Sequence, residues 1–245
     1  DIVPKEHKCY MMPRHLKKVS QKYIFFDFES EFSTGTHKVV FGVASYLTDP
    51  TPIHFNSSDQ FCEWLLTPVH KEYTVIAHNS RGYDCQFILH YILEKTELMP
   101  WIIYSGSKIM TMSLRDLKMR FIDSLSFLSM PLSKFPKTFG ISELAKGHFP
   151  HWFNIPENFD YVGKMPPVEK FGFSRFKGKE RNKALAWYKE RVDEDYVWNH
   201  WKEMVKYCES DVDILRKGCM MLRKIFIDIA EIDPFQYITI AGVCL

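Results

Sequence analysis

The chain has 245 residues, 46% hydrophobic and 25% charged, enough to bury a sizeable core as one large domain or one domain with insertions. Lysine and arginine exceed aspartate and glutamate by only 32 to 30, so the net charge of +2 names no partner, and any nucleic-acid surface has to come from local clustering. Six cysteines without a C-x-x-C pair argue against a zinc ribbon and a disulfide framework and predict reduced thiols in an intracellular protein. No apolar stretch reaches the length of a membrane span, and no signal peptide opens the chain.

Residues 1–22 are mixed and basic and are expected over the surface. Tyr23 to Ser30 then reads as a buried strand. Alternation puts Ile24, Phe26 and Phe28 on one face and Asp27 and Glu29 together on the other. Two acids this close suit a divalent cation, although a D-x-E pair is equally at home as the solvated end of a strand. After a turn at 33–36, residues 38–47 predict a second strand paired back on the first. Ser57-Ser58-Asp59 caps a short helix carrying Phe61, Trp64 and Leu65, and Tyr73 to Ala77 is another buried strand. This order predicts an α/β fold, with a central mixed sheet flanked by helices.

The polar turn His78 to Tyr83 runs into apolar residues at helical spacing, which sets Asp84 at a helix start. Aspartate there serves as a cap, or stands where ligands bind at the carboxyl ends of strands in open α/β sheets. Residues 99–122 read as further strands, followed by a short helix over 132–139. Residues 147–180 are rich in proline and aromatic residues and predict an ordered but irregular insertion. It ends in the basic run Arg175 to Lys183, interleaved with Phe173 and Phe176, which is either a nucleic-acid contact or a solvated loop and first helical turn. The spacing His148-x-x-His151 lacks partners for zinc. A long helix is predicted from about 195 to 229, with Tyr207 and Asp211 four residues apart on one face.

Taken in order, Asp27, Glu29, Asp84, Tyr207 and Asp211 form a pattern that resembles the DEDD 3′–5′ exonucleases in their tyrosine version; the histidine version would have a histidine where Lys206 stands. The likeness extends to Asp27-Phe28-Glu29, to Asn79 with Gly82-Tyr83-Asp84, and to Tyr207-Cys208-x-x-Asp211-Val212-x-Ile214-Leu215. These resemble the three exonuclease motifs of family B DNA polymerases, above all the protein-primed branch of phages, adenoviruses, linear plasmids and transposons. Ser124-Leu125-Ser126-Phe127-Leu128 and Lys146-Gly147-His148-Phe149 are similar to two further motifs of that branch, as are Trp187-Tyr188 and Asp233-Pro234-Phe235.

The resemblance implies a ribonuclease H-like exonuclease fold over residues 23–232, with residues 233–245 starting a connection to a polymerase domain; both chain ends predict a fragment of a longer polypeptide. It implies two divalent metal ions, Mg²⁺ or Mn²⁺, held by Asp27, Glu29, Asp84 and Asp211. Tyr207 would orient the attacking water and Lys146 would stabilise phosphate charge. Ser30, Asn79, Tyr83, Phe87, Ser124 and Leu125 would hold the 3′ end of single-stranded DNA. A terminal priming protein is an expected partner of the branch, and a membrane is not. Two departures remain: the step from Asn79 to Asp84 is one residue longer than in the phage members, and the 147–180 insertion has no role to inherit. The polymerase motifs are absent from this stretch. Two other readings stand beside this one, an RNA 3′-end trimmer and a binding module without catalysis.

Overall fold

The structure is a computed structural model that describes residues 19–141 and 147–244. Its centre is a seven-stranded mixed sheet: β1 (Tyr23–Glu31), β2 (Lys38–Tyr46), β3 (Ile53–Phe55), β4 (Thr74–Ala77), β5 (Pro100–Ser105), β6 (Lys108–Leu114) and β7 (Met119–Asp123), in the order β3-β2-β1-β4-β7-β6-β5. β1, β4 and β7 run parallel in the middle, and each outer pairing is antiparallel. The carboxyl ends of all three parallel strands therefore reach one edge, which is where such sheets bind ligands.

Both faces of the sheet are covered, which is why β1 opens on the unbroken apolar run Tyr23 to Phe26 and is buried at all but two positions. One face packs Ile24, Phe26 and Phe28 against Phe61 and Leu65 of α1 (Ser58–Leu65) and Ile88 and Ile92 of α2 (Asp84–Lys95). The other sets Tyr23 and Phe25 against α3 (Phe135–Phe139), the insertion, α4 (Gly178–Asp193) and α5 (His200–Ala230). The alternation along β1 thus sends Asp27 and Glu29 toward the α5 side, as the pattern requires. α3 closes on α5 at Gly218, where the Phe135 ring fills the space that a side chain would need.

The predicted elements are present with two differences. β3 is an extra edge strand of three residues following Pro52, too short to show a period. Ser57 caps α1 by accepting from the Gln60 amide at 3.2 Å. α5 begins at His200, five residues later than its periodicity suggests. Asp195 adopts a left-handed backbone with φ 49°, and Trp198–Asn199 pairs as a short strand with Val162–Gly163. The Asn199 side chain then accepts from the Lys202 amide at 3.0 Å and starts the helix. The insertion is irregular as predicted, built of short 3₁₀ turns around that two-residue pairing. Most of the basic segment 1–22 lies outside the described residues.

Candidate active site

β1 delivers Asp27 partly exposed and Glu29 buried, at the edge where the parallel strands end. α5 crosses behind them and places Cys208 between the two. One ligand atom from each of Asp27, Glu29 and Cys208 lies within 4.8 Å of the others. The thiol donates toward the main-chain oxygen of Asp27 at 3.5 Å. Burial pushes the Cys208 thiol far up, and the charges of Asp27, Glu29, Asp211 and Asp84 add to it. The charges of all four acids are thus felt at this one buried thiol, although only Asp27 and Glu29 bring a ligand atom within 4.8 Å of it.

Tyr207 and Asp211 share a face of α5, and the phenol donates to the Asp211 carboxylate. Burial raises the phenol well above its ordinary value, followed by the charges of Asp211, Glu29 and Asp27, so it stays protonated as a donor. Asp84 opens α2 and is buried. Desolvation lifts its carboxyl; its own amide opposes that, the charge of Asp123 adds to it, and the Phe28 amide opposes it again. An acid held up in this way is restored to its ionised form by a neighbouring cation.

The donor set fits a hard divalent cation. Cys208, the one soft candidate, is kept as a thiol by its burial and then by its acidic neighbours, which leaves carboxylate oxygens to coordinate. Without a cation these converging buried carboxylates repel one another in a poorly solvated space.

The residues implied for DNA contact line the same edge. Ser30 and Tyr83 bond through their hydroxyls, and His37 lies 3.0 Å from the Tyr83 oxygen. Phe87 meets Tyr83 edge-on at 5.3 Å. Asn79 takes a left-handed backbone with φ 62° and is exposed, while its amide donates to Asp123 at 2.8 Å. Asp123 also accepts from the amides of Arg81 and Leu125, which ties the turn after β4 to the end of β7. Ser124 is buried, with its hydroxyl 2.8 Å from His78 Nδ1. Lys146 lies outside the described residues.

Several participants escaped the sequence reading. His151 reaches Glu29 at 3.8 Å and meets Tyr207 edge-on at 5.6 Å, and Phe149 stacks on Tyr207 at 5.4 Å. The sequence marked His151 only as half of an H-x-x-H spacing. A buried polar chain fixes this part of the insertion: Trp198 Nε1 donates to His200 Nδ1 at 3.4 Å, His200 Nε2 donates to Asn154 Oδ1 at 3.1 Å, and Asn154 Nδ2 donates to the Ser30 carbonyl at 3.0 Å. In this chain His200 has to remain neutral. It is fully buried, and desolvation lowers its pKa to about 4.

A test follows from the sign of that shift. The unfolded chain takes up a proton near pH 6.5 and the folded one only near pH 4, so the stabilisation is complete above pH 6.5 and is lost as pH falls between the two values. The parent is expected to lose about 2 to 3 kcal/mol more than His200→Gln between pH 7 and pH 4. Urea titrations at the two pH values measure it, and equal losses in the two proteins would refute the assignment.

Comparison with known proteins places this architecture. The fold is shared with phi29 DNA polymerase in its orthorhombic crystal form, at a TM-score of 0.54 and 17% identity over 85% of this chain and 32% of that one. The same polymerase complexed with single-stranded DNA matches at 0.52 and 16% identity, over 84% and 32%. The fold is thus a ribonuclease H-like one. A probable DNA polymerase of Neurospora intermedia is 29% identical over 183 residues, which are 69% of this chain and 18% of that protein. The chain accordingly spans well under half the length of these relatives. Residues 69–245, most of the chain, match the profile of DNA polymerase type B, organellar and viral, and the chain belongs to that family.

Proposed function

We propose that this region is a metal-dependent 3′–5′ exonuclease of the proofreading type, which releases nucleoside 5′-monophosphates from single-stranded or frayed DNA 3′ ends. The observation that carries the reading is the Asp27 and Glu29 pair within 4.8 Å of Cys208 at the carboxyl edge of the parallel strands, with a protonated Tyr207 on Asp211 one helical turn away and the charge of Asp84 felt at the same thiol. A module that only retained DNA would gain nothing from four acids that repel phosphate. Asp27, Glu29 and Asp211 would hold one Mg²⁺ or Mn²⁺, and Asp84 would hold the second with Asp27. Such ions activate water and stabilise the leaving 3′ oxygen.

The chain's own groups orient the reactants. Tyr207 keeps its proton and can hold the attacking water by a hydrogen bond, while Asp211 fixes the phenol one turn away. Ser30, next to Glu29 on β1, and Asn79, in the turn after β4, would position the terminal nucleotide, with Ser124 and Leu125 at the end of β7. The Tyr83 and Phe87 rings offer faces for a base that has left its stack. A frayed end has already lost its pairing energy, so less is needed to bring it here. Lys146 retains its proposed role at the phosphate. A polymerase domain in the same polypeptide and a priming protein complete the proposal, in keeping with the family and with a similar polymerase known in complex with single-stranded DNA.

A 5′-labelled oligonucleotide incubated with the protein in Mg²⁺, Mn²⁺ or EDTA tests the reading. A ladder shortening from the 3′ end only with metal is expected. Internal cuts, or no cuts, would refute it. Matched DNA and RNA strands in the same assay separate proofreading from RNA trimming.

A further inference from the structure

We infer that the insertion carries a single-strand binding platform beside the acid site, with Trp152 stacking an unpaired base and the cations from Arg175 onward meeting phosphates. The inference rests on the nuclease reading above: a strand whose 3′ end enters beside Glu29 has to leave over the neighbouring surface, and the insertion forms that surface.

Residues 149–154 are held firmly against the site. Asn154 bonds the Ser30 carbonyl, Phe149 stacks on Tyr207, and His151 faces both Glu29 and Tyr207. In the same short turn Phe153 packs inward on Tyr161 and His200, which leaves Trp152 directed outward with 55% of its surface exposed. One side of its ring is braced. The Arg175 guanidinium lies 5.1 Å from the ring centroid, and Gly172, left-handed at φ +68°, passes so close that a Cβ there would sit 3.4 Å from Trp152 Nε1. An exposed indole held in this way has already given up the side-chain freedom that binding would otherwise cost.

Charge gives the ligand its class. Arg175, Lys177, Lys179, Arg181 and Lys183 are all exposed, and Glu180 is the single carboxylate in that run. Among the described residues none of the five is in an ion pair, so no carboxylate of the fold cancels their charge. A flat π-face that accepts any base, next to cations that accept successive phosphates, suits single-stranded nucleic acid. Duplex DNA hides the base faces that the indole would need.

The test uses the full chain in EDTA, where no strand is consumed, with fluorescein-labelled oligothymidylates and fluorescence anisotropy. Trp152→Ala is expected to weaken binding about tenfold and Trp152→Tyr to restore most of it. Lys177→Glu with Lys179→Glu should flatten the salt dependence by about 0.7 logarithmic unit for each phosphate that is no longer neutralised. Unchanged affinity in Trp152→Ala, or competition by duplex as strong as by single strand, would overturn the inference and leave this surface to a protein partner. Metal-dependent trimming is scored separately, so a chain that binds through Trp152 but never cuts refutes the nuclease reading alone.

Discussion

Asp27→Ala is expected to lower metal-dependent release of nucleotides from a single-stranded 3′ end by at least about 10²-fold, equivalent to about 3 kcal/mol of transition-state stabilisation. Under the proposed function Asp27 would serve both ions, and it sits partly exposed where β1 leaves the core. Cys208 bonds the main-chain oxygen of Asp27, not the carboxylate, and that bond survives the substitution. In EDTA the variant therefore keeps the parent's thermal midpoint or exceeds it, because one of four mutually repelling acids is gone. Loss of activity with intact folding supports the assignment; a variant that degrades a labelled oligonucleotide as fast as the parent sinks it.

The largest expected effect on stability lies far from the acids. Arg223 of α5 is 5% exposed and donates from Nε at 3.0 Å and from a terminal nitrogen at 2.8 Å to the same oxygen of Asp233, which is 3% exposed. It also donates to the Ser20 carbonyl and lies 4.7 Å from the Tyr23 ring centroid. The Tyr23 hydroxyl donates to Asp233 at 2.8 Å; burial, and next the Asp233 charge, keep that phenol protonated. Arg223→Ala leaves the Asp233 carboxylate buried without its cation and is expected to cost about 3 to 5 kcal/mol. Because desolvation offsets most of what such a pair contributes, Arg223→Met combined with Asp233→Leu should recover much of the loss. Urea unfolding monitored by tryptophan fluorescence measures both. A single variant within about 0.5 kcal/mol of the parent would show that the network does not hold this corner together.

The same network bears on the last dozen residues. Phe235 is fully buried against Tyr23 and Phe127, and Arg120 donates to the carbonyls of Phe235 and Gln236. The chain after α5 is packed into the body of the fold. The group expected from residue 233 onward to begin a connection is, over its first residues, also part of this core.

Local order in the sequence determined much of the site. Alternation along Tyr23 to Ser30 put Asp27 and Glu29 on one face, because side chains on a strand have period two. The four-residue step brought Tyr207 over Asp211, because a helix turns every 3.6 residues. Ser57 announced the start of α1 through capping chemistry that acts over three residues, and the change from a polar turn to helical spacing announced α2 at Asp84. What the tertiary structure alone decided are contacts between segments far apart in the chain. Cys208 came to lie against Asp27 and Glu29, Asn154 took hold of the Ser30 carbonyl 124 residues away, and Asp123 gathered the amides of three loop residues. α5 gave up its predicted first turn because Trp198 and Asn199 found a strand partner in Val162 and Gly163. Such pairings leave no periodic trace in the sequence, since each is set by which faces the packed sheet leaves available, and the insertion became a wall of the site for that reason.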